Sequence, residues 1–152
     1  MTERPVISCI GHILLDCFVS ISRAEFEALR KSVAGMTALQ LGGAPVHVAS
    51  DAMRLILARI GANRLVGKVR AGGGAVNTAV AASRLGLDAR VWGGAGNDEA
   101  GRMLARLVKG AGPKLHARTV QGAATGVFLR LAVEGGEREA VATIRASRAS
   151  RT

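Results

Sequence analysis

Apolar residues along this chain fall into short runs separated by glycines and polar pairs, and the spacing inside each run predicts its element. Val6 to Ile10 is a β-branched run ended by Gly11, which predicts a buried first strand. Apolar character resumes at Ile13, Leu14 and Leu15, breaks at Asp16, and continues through Cys17, Phe18 and Val19. Ser22 and Glu25 have the spacing of a capping box, with Phe26, Leu29 and Val33 following at helical intervals until Gly35. Met36 to Val48 has no period. Asp51 then opens a second helix with Met53, Ile56, Leu57 and Ile60 on its apolar face, stopped by Gly61.

From Ala71 to Gly86 the chain reads as a glycine-rich turn running into a helix of small residues. Val76, Val80 and Ala79 face a core there, Ala81 and Ala82 permit close packing on a sheet, and Gly86 suits a left-handed helix end. Ala89 to Trp92 predicts a short strand, and the glycine-rich stretch Gly93 to Gly101 leads to another helix. In that helix Met103, Leu104, Leu107 and Val108 form the buried face. Asp98 and Glu99 suit its positive N-terminal end and Lys109 its negative C-terminal end, before Gly110. Alternating strands and helices with short turns argue for an α/β sheet that is at least partly parallel. Beyond Pro113 the period becomes two: Val127, Leu129, Leu131 and Val133 alternate with Phe128, Arg130 and Ala132. Glu134-Gly135-Gly136-Glu137 predicts a turn, and Ala140 to Ile144 a returning strand. That hairpin would form an outlying sheet. Residues 145–152 are a polar, low-complexity tail with no apolar period, expected to lack stable structure.

Composition narrows the class. With 152 residues, 49% of them hydrophobic, the chain can bury one real core. The formal net charge of +10 is what an anionic or nucleic-acid partner would select. Yet the arginines form no run, aromatics make up 3%, and there is one Trp and no Tyr, so base stacking has little to work with. Most of these arginines read as solvated helix faces. Cys9 and Cys17 form no CxxC pair and read as buried, reduced thiols, and His12, His47 and His116 are too dispersed for a zinc site. Met1 to Pro5 lacks a signal-peptide core, and no apolar run approaches the roughly 20 residues of a membrane span. A cytoplasmic protein is expected.

Two places could carry chemistry. Gly72, Gly73 and Gly74 lead into a helix start where backbone N–H groups have no intrahelical partner, so hydroxyls or anions could lie against bare main chain. Asp16 sits inside an apolar run, where a carboxylate costs free energy unless it is hydrogen-bonded or exposed in a cleft. It is either a residue on a turn or solvated strand face, or an acceptor for ligand hydroxyls at a strand end. Gly61 to Lys68 fails as a Walker loop because five residues separate the glycines and Val69 follows Lys68. The dinucleotide fingerprint also fails, since Asn77 stands where the last Gly would be.

With these residues placed, the chain resembles the N-terminal half of the PfkB (ribokinase-like) family of sugar and nucleoside kinases. The matching landmarks come in order: the first strand with Gly11 to Asp16, Gly72-Gly73-Gly74-Ala75-Val76-Asn77, Gly93 to Gly101, Thr125-Gly126, and Gly135-Gly136-Glu137-Arg138. The Ser22 to Met36 segment looks like the adenosine-kinase-like branch. The resemblance implies a Rossmann-like three-layer α/β/α fold with a small β-lid. Residues 1–144 would be its substrate-binding part, including a lid hairpin at about 119–144. It also implies that Asp16 accepts hydrogen bonds from substrate hydroxyls, that Gly72 and Gly73 offer main chain to the substrate, and that Asn77 adds an amide contact.

The reaction implied is phosphoryl transfer from ATP, with Mg²⁺, to a hydroxymethyl group of a sugar or nucleoside. Family members carry their catalytic aspartate in a second half, inside an Asp-x-x-Gly-Ala-Gly-Asp-like motif, together with most of the nucleotide site. The sequence stops before that half, so the expectation is a truncated kinase, inactive alone. Gly94 to Asp98 only imitates the missing motif, and Asp98 is assigned to helix capping. A noncatalytic substrate-binding remnant, a half that docks to a complementing C-terminal half, and a homodimer remain open. A basic nucleic-acid binder explains only the charge.

Overall fold

β-Branched residues and glycine punctuation set most element boundaries in the computed structural model, which describes residues 4–42, 44–61, 64, 68–136 and 138–143. The chain runs β1 (Val6–Ile10), β2 (Leu14–Ile21), α1 (Arg23–Val33), β3 (Val46–His47), α2 (Ser50–Ile60) and β4 (Val69–Gly72). It continues through α3 (Gly74–Arg84), β5 (Asp88–Gly96), α4 (Glu99–Gly110), β6 (Lys114–Val120), β7 (Gly126–Val133) and β8 (Arg138–Thr143). The residues group into two compact units. The first holds the chain up to Leu15 and Arg70–Gly126, the second Asp16–Val69 and Val127–Thr143.

The first unit is built on a three-stranded parallel sheet in the order β1-β5-β6. Helices α3 and α4 pack against it, burying Cys9 of β1 and Ala89 and Val91 of β5 with Val76 and Ala79 of α3 and Leu104 and Val108 of α4. The small side chains of α3 let that helix lie close to the sheet. Strand β5 is longer than its apolar run predicts, because Gly93, Gly94 and Gly96 continue it. Crowding explains the glycines. A Cβ on Gly93 would come within 2.9 Å of the Ile13 side chain and 2.8 Å of the Gly11 carbonyl oxygen. Strand β1 departs from expectation in the opposite sense: it is an edge strand, and Val6 is 55% and Ile10 82% exposed.

The second unit contains α1 and α2 and most of a five-stranded sheet in the order β3-β8-β7-β2-β4. The period-two pattern predicted for β7 appears as buried Val127, Leu129, Leu131 and Val133. β8 returns antiparallel in the register Leu129↔Val141, and β3 pairs parallel to β8 through Val46↔Val141. The predicted Ile144 end of β8, Glu137 of the turn and the 145–152 tail lie outside the described residues.

Helix α1 has the capping box in full. Ser22 Oγ accepts from Glu25 N at 3.2 Å, and Glu25 Oε2 accepts from Ser22 N at 2.8 Å. An ion pair from Arg64 at 2.5 Å is the main reason the Glu25 carboxyl is lowered to about 2, with the Ser22 bonds adding to it. The helix ends at Val33 with Ala34 as its C-cap, one residue before the expected Gly35. Helix α2 starts at Ser50, so Asp51 lies in its first turn instead of capping it, and it pairs with Arg54.

Candidate functional site

Backbone conformation singles out the start of α3. Gly73 is its N-cap at φ 93° and ψ 151°, a region open to glycine and closed to most side chains. A Cβ at that position would also overlap the carbonyl oxygen and carbon of His12. Two independent demands therefore fix a glycine here, one conformational and one steric. No side chain caps α3, so the first backbone N–H groups of the helix keep their donor capacity and the positive end of its dipole. The first helical bond closes only at Asn77 N to Gly73 O, 3.0 Å.

Gly72 is buried at the end of β4, and Asn77 is exposed one turn into α3. Gly72, Gly73 and Asn77 thus all lie in the first unit, at the junction of β4 and α3. His12 is a neighbour that the sequence pattern did not point to. Its Nε2 is buried with no hydrogen-bond partner among the described residues. The signal available was its position directly after Gly11, where the chain leaves β1.

Asp16 belongs to the second unit. It is the third residue of β2, half-buried, on the strand face opposite the buried Leu15, Cys17 and Val19. Burial pushes its carboxyl above the ordinary value, and the Arg130 charge pulls it partly back. The Arg130 guanidinium lies 5.7 Å from the Phe18 ring centroid and 5.2 Å from that of Phe128. Asp16, Phe18, Phe128 and Arg130 therefore share one half-open sheet face: a carboxylate, a cation and two aromatic rings. The sequence showed alternation for β7 but only a broken apolar run for β2, so the pairing of β2 with β7 that puts these four on one side was not legible in it.

Asp98 is structural, as its position predicted. It is the N-cap of α4, with Oδ1 accepting from Gly101 N at 2.8 Å. Its Oδ2 accepts from Thr125 N at 2.8 Å, and the Thr125 hydroxyl donates to Oδ1 at 2.5 Å. Burial pushes this carboxyl upward, but the Thr125 and Gly101 donors outweigh it and hold the group below its usual value. Thr125 Oγ1 in turn accepts from Gly96 N at 2.9 Å.

Among the described residues, no group of three or more His, Cys, Asp or Glu could hold a metal ion. A cleft of about 300 Å³ between α1 and α2 is lined by Ile21, Leu29, Arg59, Ile60 and Arg64, and includes none of the predicted site residues. No described helix is long and apolar enough to cross a membrane.

Three solved structures illustrate what the fold is similar to. The adenosine kinase from Sinorhizobium meliloti matches with a TM-score of 0.67 at 22% identity, over 96% of this chain and 41% of its own. An Anopheles gambiae adenosine kinase in complex with P1,P4-di(adenosine-5) tetraphosphate matches with a TM-score of 0.65 at 19% identity, over 97% of this chain and 43% of its own. A probable sugar kinase from Rhizobium etli matches with a TM-score of 0.67 at 20% identity, over 97% of this chain and 41% of its own. The chain thus spans about two fifths of the length of the structures it matches. No curated protein matched the sequence. The family of pfkB carbohydrate kinases matches over residues 65–152, more than half of the chain. The ribokinase-like fold and this match together establish that the chain belongs to the pfkB family of carbohydrate kinases.

Proposed function

We propose that this chain carries the acceptor-substrate part of a kinase that moves a phosphoryl group from ATP to a hydroxymethyl group of a sugar or nucleoside. The observation that carries the reading is Gly73. Its left-handed backbone, packed on the His12 carbonyl, presents uncapped N–H groups at the start of α3 beside the exposed Asn77 amide. Such a surface suits a polyhydroxylated ligand, which needs donors and acceptors at close range more than it needs apolar contact. Asp16 is the carboxylate acceptor for substrate hydroxyls in this reading, and Phe18 and Phe128 on its sheet face favour a ligand with a flat ring, a nucleoside over a simple sugar.

ATP and Mg²⁺ supply the phosphoryl group and neutralise its charge when bound. The described residues offer neither a metal cluster nor a Walker loop, so the donor side of the reaction is assigned to the rest of a complete kinase. Purified alone, the chain is expected to show no ATP-dependent phosphorylation of any sugar or nucleoside. Turnover by a contaminant-free sample would defeat that half of the reading.

Binding tests the other half. Calorimetric titration with adenosine and with ribose is expected to give measurable affinity that Asp16→Ala weakens by about tenfold or more, the loss of a hydrogen bond to a charged group. Unchanged affinity in Asp16→Ala removes Asp16 from the site.

A further inference from the structure

Arg130 of β7 is exposed, and among the described residues its guanidinium forms no hydrogen bond and no ion pair. Two ring faces hold it instead, with the Phe18 centroid at 5.7 Å and the Phe128 centroid at 5.2 Å. Asp16 stands two residues before Phe18, on the same side of β2, and within Coulomb reach of Arg130. All four residues belong to the second unit, where β2 and β7 are neighbouring strands of one sheet. A guanidinium is a planar fork of N–H donors with no acceptor of its own. Laid against two rings and bonded to nothing, this one keeps its fork for a ligand on the same face.

Charge decides what kind of ligand that is. One carboxylate and one guanidinium leave the face without a net charge to draw in an anion. They suit a neutral molecule with donors at one end and acceptors at the other, and the two rings suit a flat middle. Among purine nucleosides the acceptor end is what differs. An oxo-purine presents O6 and N7, a pair of acceptors that a guanidinium grips together. An amino-purine presents N7 beside a donating N6 amino group, which opposes the fork. We infer that Arg130 reads the base, and that the acceptor substrate is an oxo-purine nucleoside, inosine or guanosine in preference to adenosine. The inference rests on the nucleoside reading above. Ribose hydroxyls go to Asp16, and O6 and N7 go to the Arg130 fork.

Calorimetric titration of the full chain with inosine, adenosine and ribose 5-phosphate tests it. Inosine is expected to bind about tenfold or more tighter than adenosine, the discrimination of one bidentate pair. Arg130→Met, which keeps an unbranched stem and removes the fork, is expected to abolish that ratio. Arg130→Lys, which keeps the charge, is expected to restore little of it. Asp16→Ala is expected to weaken both nucleosides alike and leave the ratio intact. Circular dichroism checks that each variant is folded, and the wild-type ratio needs no variant. Adenosine binding as tightly as inosine overturns the inference, and so does a ratio that survives Arg130→Met. In either case, binding that still depends on Asp16 leaves the nucleoside reading standing. Ribose 5-phosphate binding as tightly as inosine, and losing that affinity in Arg130→Met, overturns the inference by making Arg130 an anion site. Binding of neither nucleoside overturns the inference together with the reading beneath it.

Discussion

Asp98 accepts a hydrogen bond from Gly101 and two from Thr125, and so joins the start of α4 to the residue that precedes β7. Replacing it with Ala removes a helix cap, worth about 1 kcal/mol, and leaves the buried Thr125 N–H without its acceptor, which costs about another 1–3 kcal/mol. Asp98→Ala is therefore expected to lower unfolding free energy by about 2–4 kcal/mol in urea titrations at neutral pH. The pH dependence has a definite sign. The folded carboxyl is held below its unfolded value of about 3.9, so the contribution is fully present above that value and is lost as pH falls through the lower, folded one. The gap between wild type and Asp98→Ala should accordingly narrow in strong acid, and a gap independent of pH would contradict the charge-assisted role. Position and residue type were enough to read Asp98 from the sequence, since an Asp before a helical run has one common use. Asp16 could not be read that way. A carboxylate in an apolar run fits a solvated strand face as well as a ligand contact, and only the neighbouring Arg130, Phe18 and Phe128 distinguish its surroundings.

Adjacent glycines at the start of α3 have different reasons to exist. Gly73 has φ 93° and its missing Cβ space is occupied by the His12 backbone, whereas Gly74 is helical and a methyl added there would meet nothing within 4 Å. Gly73→Ala is expected to destabilise the chain by more than about 1 kcal/mol, while Gly74→Ala should be neutral or stabilising by up to about 1 kcal/mol. Chemical denaturation of the two variants checks the contrast, and equal effects would mean that the Gly73 backbone is free to relax.

Elements with a strong local signature were legible: the Ser22–Glu25 capping box, the β7 alternation and the Gly86 end of α3, at φ 86°. Strand β6 was not, because Lys114–Val120 is an edge strand with mostly exposed side chains and carries no apolar period. The C-terminal part of β5 was hidden for another reason. Its glycines have low strand propensity and are held in the strand by close approach of Gly11, Ile13 and residues 123–125, contacts that no local pattern encodes.

Charge behaves differently at the scale of the whole chain than its total suggests. Beneath the net +10, several helix arginines are answered locally: Arg30 by Glu27 on α1, Arg54 by Asp51 on α2, and Arg102 and Arg106 by Glu99 on α4. Such exposed pairs contribute little to stability. The α/β fold class was readable from element order alone, whereas the family needed the ordered glycine landmarks within residues 11–138.

Each compact unit also holds one thiol. Cys9 sits in the first at 8% exposure and Cys17 in the second at 4%, both free of any disulfide. Burial, and then the negative charge of Asp16, push the Cys17 thiol up to about 11, so almost none of it is thiolate at neutral pH while the sheet stays closed. Alkylation at either sulfur must wait for its own strand to open. Mass spectrometry of the two tagged peptides would therefore run as a pair of stopwatches, timing the breathing of one half of the molecule separately from the other.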